Sequence, residues 1–208
     1  MQEDQQHGAG PGLMLSLGIT LGITAILWLV FLATIFFSVD LTPWGIRPHE
    51  AAGLVGIVTA PFIHGDIWHL TSNTLPFAVM FFVLLNAYHR VAFFVLVMLH
   101  LLTGLGVWLF AQPNSSHIGI SGIIYGLAGF LIASGFFRKD RLSLTVAVFV
   151  VLLYSSLLEG FIPQPGISWQ SHLSGAVSGV VLAWLLKRID PPADNYFDQE
   201  PEERPFFG

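Results

Sequence analysis

The chain has 208 residues, of which 54% are hydrophobic and only 10% are charged, with a net charge of −5. A water-soluble domain carries about a quarter charged residues, so this composition excludes an ordinary soluble fold and predicts a protein whose main solvent is lipid. The chain contains no cysteine, which excludes disulfide bonds, thiolate nucleophiles and cysteine-based metal sites. Because the net negative charge comes largely from the C-terminal residues, it does not indicate a nucleic-acid partner.

Six apolar segments predict six transmembrane helices. They cover residues 13–39, 70–88, 91–111, 118–137, 142–158 and 170–187. Most approach the roughly 20 residues that an α-helix needs to cross a bilayer, and the shorter ones suit a thinned or protein-lined region. We therefore expect an all-α, polytopic membrane protein in which residues 13–189 form one bundle of six helices.

The two ends of the chain are expected to differ from this bundle. Residues 1–12 contain no Lys or Arg, and the apolar segment that follows is longer than the roughly 7–15 residues of a signal-peptide core. We therefore expect a short N-terminal segment followed by a retained first helix. Residues 190–208 are acidic and rich in proline, which predicts a disordered tail.

Basic residues indicate how the helices are oriented. Only Arg47 lies on one side of the predicted bundle, and seven cations lie on the other. Loops rich in Lys and Arg stay on the cytoplasmic side of a membrane, so we expect both termini in the cytoplasm, in a bacterial inner membrane. The connections after helices 1, 3 and 5 then face outward. The seven cations are Arg90, Arg138, Lys139, Arg141, Lys187, Arg188 and Arg204.

Two of the outward connections have a distinctive composition. In the first, Trp44 and Arg47 belong to a turn cluster that suits the headgroup layer. Residues 50–58 then predict a short apolar helix that lies in the membrane interface and is ended by Pro61. The connection between helices 5 and 6, residues 160–166, is rich in glycine and proline, which predicts a short irregular loop.

Polar side chains are concentrated around the start of helix 2. Ionisable groups within a membrane span are costly and usually face the bundle interior. His69 and Asn73 are four residues apart and therefore share one helix face, with His64 just outside the helix. The alternative interpretation is a solvated helix end that is capped by Asp66.

Helices 4 and 6 each carry one reactive side chain beside a small-residue face. Ser121 lies about one turn into helix 4, directly before a Gly-x3-Gly pattern, and His172 lies three residues before another. Such patterns let helix backbones touch in lipid, and packing alone is one explanation for them. If the two faces meet, Ser121 and His172 come within hydrogen-bonding range, as a serine nucleophile and its general base require.

A Ser–His dyad is more economical here than a triad. Glu159 and Asp66 are both possible partners for His172, but neither is compelling. Tyr125, one turn below Ser121, is placed to stack on the imidazole. Three donors are available to stabilise an oxyanion: the Ser121 backbone N–H, the Asn73 amide and a ring N–H of His69.

Three motifs lie in this order on helices 2, 4 and 6. They are His64-x4-His69-x3-Asn73, Gly119-x-Ser121-Gly122-x2-Tyr125-Gly126 and His172-x2-Gly175-x3-Gly179. In this combination the chain resembles the rhomboid intramembrane serine proteases. The pair Trp44-x2-Arg47 is similar to the first-loop signature of that family, so the likeness spans about residues 44–187.

The resemblance implies that Ser121 is the nucleophile and His172 the general base. It also implies that the first outer loop lies partly in the membrane and that residues 160–169 cap the site. Substrates would be single-span transmembrane proteins that are cut near the outer face, with no cofactor and no metal. The implied oxyanion residues are His69, Asn73, Ser121 and Ile120, and the implied supporting residues are His64, Tyr125, Gly119 and Gly122.

Two other functions remain open from the sequence. A catalytically inactive relative would only bind membrane helices, and a haem protein could use two of the histidines His69, His100 and His172 as ligands. No His-Glu-x-x-His motif occurs, which excludes a zinc protease of that type. His100 and Glu159 are expected to be interior hydrogen-bonding partners. His117 is expected to be solvated, and an additional loop contact is the alternative.

Overall fold

The computed structural model describes residues 12–189. The predicted N-terminal segment, apart from Gly12, and the predicted tail of residues 190–208 lie outside the described residues. The part described confirms the all-α prediction, with six long helices and one short one. Their bounds are Leu13–Phe37 (α1), Gly56–Thr59 (α2), Ile67–Ala87 (α3), Ala92–Phe110 (α4), Ser121–Arg138 (α5), Arg141–Tyr154 (α6) and Trp169–Leu186 (α7).

Several of these helices are suited to a membrane. Within residues 12–189, α1, α3, α4, α5 and α6, the last together with the turn that follows it, are long and apolar enough to cross a bilayer. The sixth long helix, α7, is less apolar because it carries several polar side chains, which are Gln170, Ser171, His172, Ser174 and Ser178. These apolar helices make the protein an integral membrane protein.

Helix α5 lies at the centre of the bundle, and most of its residues are buried. It packs so closely on α7 that a Cβ atom on Gly175 would overlap the Gly122 carbonyl, and one on Gly179 would overlap the Gly126 carbonyl. Only glycine permits this separation. This contact brings the start of α5 close to the start of α7. We call the end of the bundle at which α3, α5 and α7 begin the upper end.

The apolar core lies below this upper end. Phe77, Phe81 and Leu84 of α3, together with Leu127 and Phe130 of α5, are fully buried in it. Lipid tails are as apolar as these side chains, so close packing and not exclusion from water stabilises the core. This packed base holds the starts of α3, α5 and α7 at fixed positions.

The first connection differs from the predicted single helix over residues 50–58. A 3₁₀ turn at Ala51–Val55 is followed by α2 and by a second 3₁₀ turn at Ala60–Phe62. The path is tight because a Cβ on Gly53 or Gly56 would overlap the backbone of residues 45–47. Pro61 does not end the helical stretch, since it lies at the start of the second turn, where its missing N–H is not needed.

Helix α6 is shorter than predicted. It ends at Tyr154, and a 3₁₀ segment follows at Ser155–Phe161. Glu159 therefore lies in the 3₁₀ segment and not at the end of the helix. Serine and glycine residues in this stretch favour departure from the α-helix, and the change directs the backbone of Gly160 towards α7.

Candidate functional site

Ser121 is the first residue of α5, and not one turn into it as predicted. Gly119 has a φ angle of +99°, in the left-handed region that side chains disfavour, so the helical path begins only after it, with Ile120 as N-cap. A Cβ on Gly119 would lie 2.6 Å from Nε2 of His69. The glycine therefore sets the start of α5 and lets the His69 ring approach the backbone beside Ser121.

The Ser121 and His172 side chains lie in direct contact. The Ser121 hydroxyl donates to Nε2 of His172 at 2.9 Å, and Nδ1 of His172 lies 2.7 Å from the Gly160 carbonyl oxygen. A carbonyl oxygen can only accept, so Nδ1 carries the proton and Nε2 presents its lone pair to the serine. This is the tautomer that a general base needs in order to take a proton from serine.

The group that orients His172 is the main chain of Gly160, and no acidic side chain takes that place. A Cβ at this position would overlap the Tyr125 hydroxyl and would lie 2.8 Å from His172 Nδ1. Glycine is therefore needed for the close approach. The sequence gives little sign of this role because every residue has a carbonyl oxygen, and the only signal was a glycine at the start of the predicted irregular loop.

Tyr125 supports the imidazole from one side. Its ring lies parallel to that of His172, with 4.0 Å between the ring centroids and 6° between the planes. The Tyr125 hydroxyl donates to the Leu157 carbonyl oxygen at 2.5 Å, which ties the tyrosine to the 3₁₀ segment after α6. The ring plane of His172 is thus fixed by stacking as well as by its two hydrogen bonds.

His69 and Asn73 lie on one face of α3, near the dyad. The Asp66 carboxylate caps this helix by accepting from the backbone N–H groups of Trp68 and His69 at 2.8 and 2.9 Å, and these bonds, that from His69 foremost, lower the Asp66 pKa. Asn73 is buried, and its Nδ2 has no hydrogen-bond partner among residues 12–189. A buried amide donor without a partner is unusual and is available to a bound group.

His64 lies behind this face, with its ring 5.0 Å from that of His69. The Ile120 N–H donates to His64 Nε2 over a long 3.5 Å, which requires Nε2 to be unprotonated. Burial lowers the pKa of His64 to about 4, so the ring is neutral at physiological pH. His64 therefore packs beside the backbone that leads into Ser121.

Apart from His64, these side chains line one polar cavity at the upper end, with a volume of about 1060 Å³. A sequence model of the Rhomboid domain matches residues 51–189, a range that contains every residue of the site. The chain belongs to the rhomboid family. Family membership supports an intramembrane protease or a rhomboid-like function without proteolysis.

Several proteins are similar to this chain in sequence. An uncharacterized protein of Mycobacterium tuberculosis is 37% identical over 175 residues, which cover 80% of this chain and 73% of the relative. An uncharacterized protein of Mycobacterium leprae is 36% identical over 179 residues, covering 81% and 71%. Rhomboid-like protein 11, chloroplastic, of Arabidopsis thaliana is 29% identical over 181 residues, covering 77% and 62%. Only the Arabidopsis protein among these three has a name that refers to rhomboids, and none of the three names states a reaction.

His117 of this rhomboid protein is not solvated as expected. It is buried, with 7% of its surface exposed, and burial lowers its pKa. Both of its ring nitrogens are hydrogen-bonded, to the hydroxyls of Ser115 and Ser168. The prediction failed because the neighbouring sequence is polar, whereas the first connection folds back over this stretch and covers it.

His100 and Glu159 lie apart from the dyad. The His100 ring packs 6.2 Å from that of Phe62, and backbone groups of Ile57 and Val58 are within reach as hydrogen-bond partners. His100 therefore braces the first connection, in line with the expected interior role. Glu159 is exposed and lines the polar cavity, so the expectation of an interior partner is wrong for this residue. The Gly160 carbonyl, and not Glu159, occupies Nδ1 of His172.

Proposed function

We propose that this protein is an intramembrane serine endopeptidase with Ser121 as nucleophile and His172 as general base. The main support is the continuous hydrogen-bonded chain from the Gly160 carbonyl through both nitrogens of His172 to the Ser121 hydroxyl, at 2.7 and 2.9 Å. A serine in a packing face has no need of a histidine held in one tautomer and one ring plane. A nucleophile has that need.

The proposed reaction follows the serine-protease scheme. Ser121 Oγ attacks the peptide carbonyl carbon while Nε2 of His172 takes the hydroxyl proton. The resulting imidazolium gives that proton to the leaving amine, and the C–N bond breaks to leave an acyl-enzyme. His172 then removes a proton from water as the water oxygen attacks the ester carbonyl carbon. It returns that proton to Ser121 Oγ as the C–Oγ bond breaks and the second product leaves. The Gly160 carbonyl stabilises the imidazolium in both steps, in the place where a triad has a carboxylate.

Three donors are proposed for the oxyanion. The backbone N–H of Ser121 lies at the start of α5, where helical N–H groups have no partner within the helix. The unpartnered Asn73 amide and the His69 ring line the same cavity. The Ile120 N–H already donates to His64, so we assign Ile120 and His64 to supporting the start of α5, together with Gly119 and Gly122.

The proposed substrates are single-span transmembrane proteins that are cut near the outer membrane face. Hydrolysis requires water, which hydrocarbon does not supply, and the polar cavity opens at the upper end of the bundle. The cations Arg138, Lys139 and Arg141 lie at the lower end, and the positive-inside rule then directs the upper end outward. On the same grounds we propose that both termini lie in the cytoplasm, and we propose a bacterial inner membrane as the location.

Purified protein tests this proposal directly. Wild type should cut a single-span test substrate near its outer boundary and should react covalently with a fluorophosphonate probe, whereas Ser121→Ala should do neither. Ser178→Ala is a matched control because its hydroxyl only bonds to its own helix, at Ser174 O. If wild type neither cuts nor labels, the proposal fails and an inactive helix-binding rhomboid relative is the better description.

The haem alternative has less support from the geometry. Both ring nitrogens of His172 are engaged by Gly160 and Ser121, which leaves no lone pair for iron without breaking one of these bonds. An absorption spectrum of the purified protein would reveal a Soret band if haem were bound. A Soret band together with no fluorophosphonate labelling would favour a haem protein over a protease.

A further inference from the structure

His117 connects three segments that are distant in sequence. Its backbone N–H and C=O pair with Ile46 in the first connection, at 3.0 and 2.9 Å. Its ring nitrogens contact the Ser115 hydroxyl, which precedes α5, and the Ser168 hydroxyl, which precedes α7, at 2.8 and 2.5 Å. The His117 backbone is thus fixed to the body of the protein, and its ring reaches the segment that leads into α7.

The direction of these hydrogen bonds can be deduced. The Ser115 hydroxyl donates to the Gln112 carbonyl oxygen, so it accepts from Nε2–H of His117. In the neutral ring Nδ1 then has no proton and accepts from the Ser168 hydroxyl. The donor and acceptor of each of these hydrogen bonds are thereby assigned, and the Ser168 hydroxyl donates to His117.

Ser168 occupies the N-cap position of α7, but its side chain does not cap the helix. A serine at this position usually accepts from the backbone N–H two or three residues further on. Here the hydroxyl is used by His117, while the Ser168 carbonyl accepts from the N–H groups of Ser171 and His172, at 3.0 and 3.2 Å. One residue therefore holds the first turn of α7 and is itself held by His117.

The stretch before Ser168 offers little other restraint. Residues 162–167 are exposed, Gly166 has a φ angle of +78°, and the nearby backbone hydrogen bonds of Ile167 to Gln164 and of Trp169 to Ile167 are local. Such a segment is expected to move more than the helices it joins. The packing of its glycines on α5 holds α7 as a whole, and the link from Ser168 to His117 adds a restraint at its first turn.

We propose that His117 and Ser168 are positioning residues for the reaction, which set the place of the α7 start and thereby of His172 relative to Ser121. The inference rests on the proposed protease function and goes beyond it, because neither residue touches the reacting atoms. Removing the link leaves the Ser121–His172 pair intact in composition but lets the imidazole depart from its reactive position. A displacement of 1 Å from a reactive geometry lowers rates by about a hundredfold, and a partial displacement lowers them by about tenfold.

Side-chain substitutions at Ser168 and His117 test the link. Ser168→Ala should lower kcat for a single-span substrate about tenfold with little change in KM, and Ser168→Thr, which keeps the hydroxyl, should retain most of the activity. The double variant His117→Ala/Ser168→Ala should be no slower than the slower single variant, because both remove the same interaction. Ser116→Ala is the matched control, since its hydroxyl donates to Thr42 O and not to α7.

A second measurement does not depend on catalysis. Hydrogen exchange of the first turn of α7, residues 169–173, should become about tenfold faster in Ser168→Ala and should be unchanged in Ser116→Ala. Unchanged exchange, or a wild-type kcat in Ser168→Ala, would overturn the inference while leaving the proposed function intact. Absence of cleavage by wild type would instead overturn the proposed function, and with it the kinetic part of the inference.

Discussion

The most direct test of the orienting hydrogen bond is Gly160→Ala. The added Cβ would overlap the Tyr125 hydroxyl and would lie 2.8 Å from His172 Nδ1. Carbon and nitrogen atoms in contact lie about 3.5 Å apart, so the 3₁₀ segment or the imidazole has to shift by roughly 0.7 Å. The carbonyl that fixes the His172 tautomer moves together with the segment.

The expected effect is a fall in kcat of about 10- to 100-fold. This range follows because a 1 Å misplacement from a catalytic geometry lowers rates by about a hundredfold, and the shift here is somewhat smaller. The assay is cleavage of a single-span substrate in proteoliposomes, with the rate of fluorophosphonate labelling of Ser121 as a second readout. Thermal unfolding in detergent shows whether the variant is still folded.

Two further variants make this test specific. In a Tyr125→Phe background the overlap with the hydroxyl disappears, so Gly160→Ala should reduce the rate by a smaller factor than it does in wild type. Gly65→Ala is the control, because its Cβ would meet only the Ile118 side chain, at 3.8 Å. If Gly160→Ala cleaves and labels at the wild-type rate while Gly65→Ala does too, the carbonyl of Gly160 does not orient His172.

Three other outcomes follow from the structure. Asn73→Ala should lower kcat because it removes one oxyanion donor, which stabilises the transition state by roughly 2.7–4 kcal/mol. Ser121→Ala should abolish cleavage, and equal residual activities in the two variants would contradict these roles. The folded-state pKa of His64 is lowered to about 4 from 6.5, so its contribution to stability is complete above pH 6.5. As the pH falls towards 4, up to about 3 kcal/mol of the free energy of unfolding is lost. Thermal unfolding of wild type should show this dependence of stability on pH, and His64→Asn should flatten it. Gly175→Ala should destabilise the bundle by about 1–3 kcal/mol through overpacking against α5, while Gly22→Ala, with nothing within 4 Å of its Cβ, should not, as melting temperatures in detergent will show.

Much of the fold could be predicted from the sequence because lipid imposes a simple rule. Every backbone polar group in the bilayer has to be satisfied within its own segment, so long apolar runs become helices. The predicted segments accordingly match the long helices closely, although the starts of α3 and α5 and the end of α6 were misplaced. The start of α3 is set by the Asp66 cap, and the other two ends are set by a left-handed Gly119 and by a 3₁₀ segment that packs against Tyr125. Apolar periodicity does not reveal any of these three features.

The side chains of the proposed catalytic pair can also be identified in the sequence. Ser121 and His172 stand out because polar and ionisable residues are expensive within apolar helices, and the glycines beside them indicate where two helices can touch. The sequence by itself thus determined that the protein lies in lipid, that its fold is all-α, and which residue types form the candidate site.

The tertiary structure decided how those residues are held. The partner of His172 Nδ1 is a main-chain carbonyl, and His117 is buried by a connection that lies about 70 residues away along the chain. Backbone carbonyls are the same in every residue, and burial by a distant segment depends on how the chain folds back on itself. For this reason the reactive pair can be found in the sequence, whereas the tautomer, the ring plane and the link from His117 to the start of α7 exist only in three dimensions.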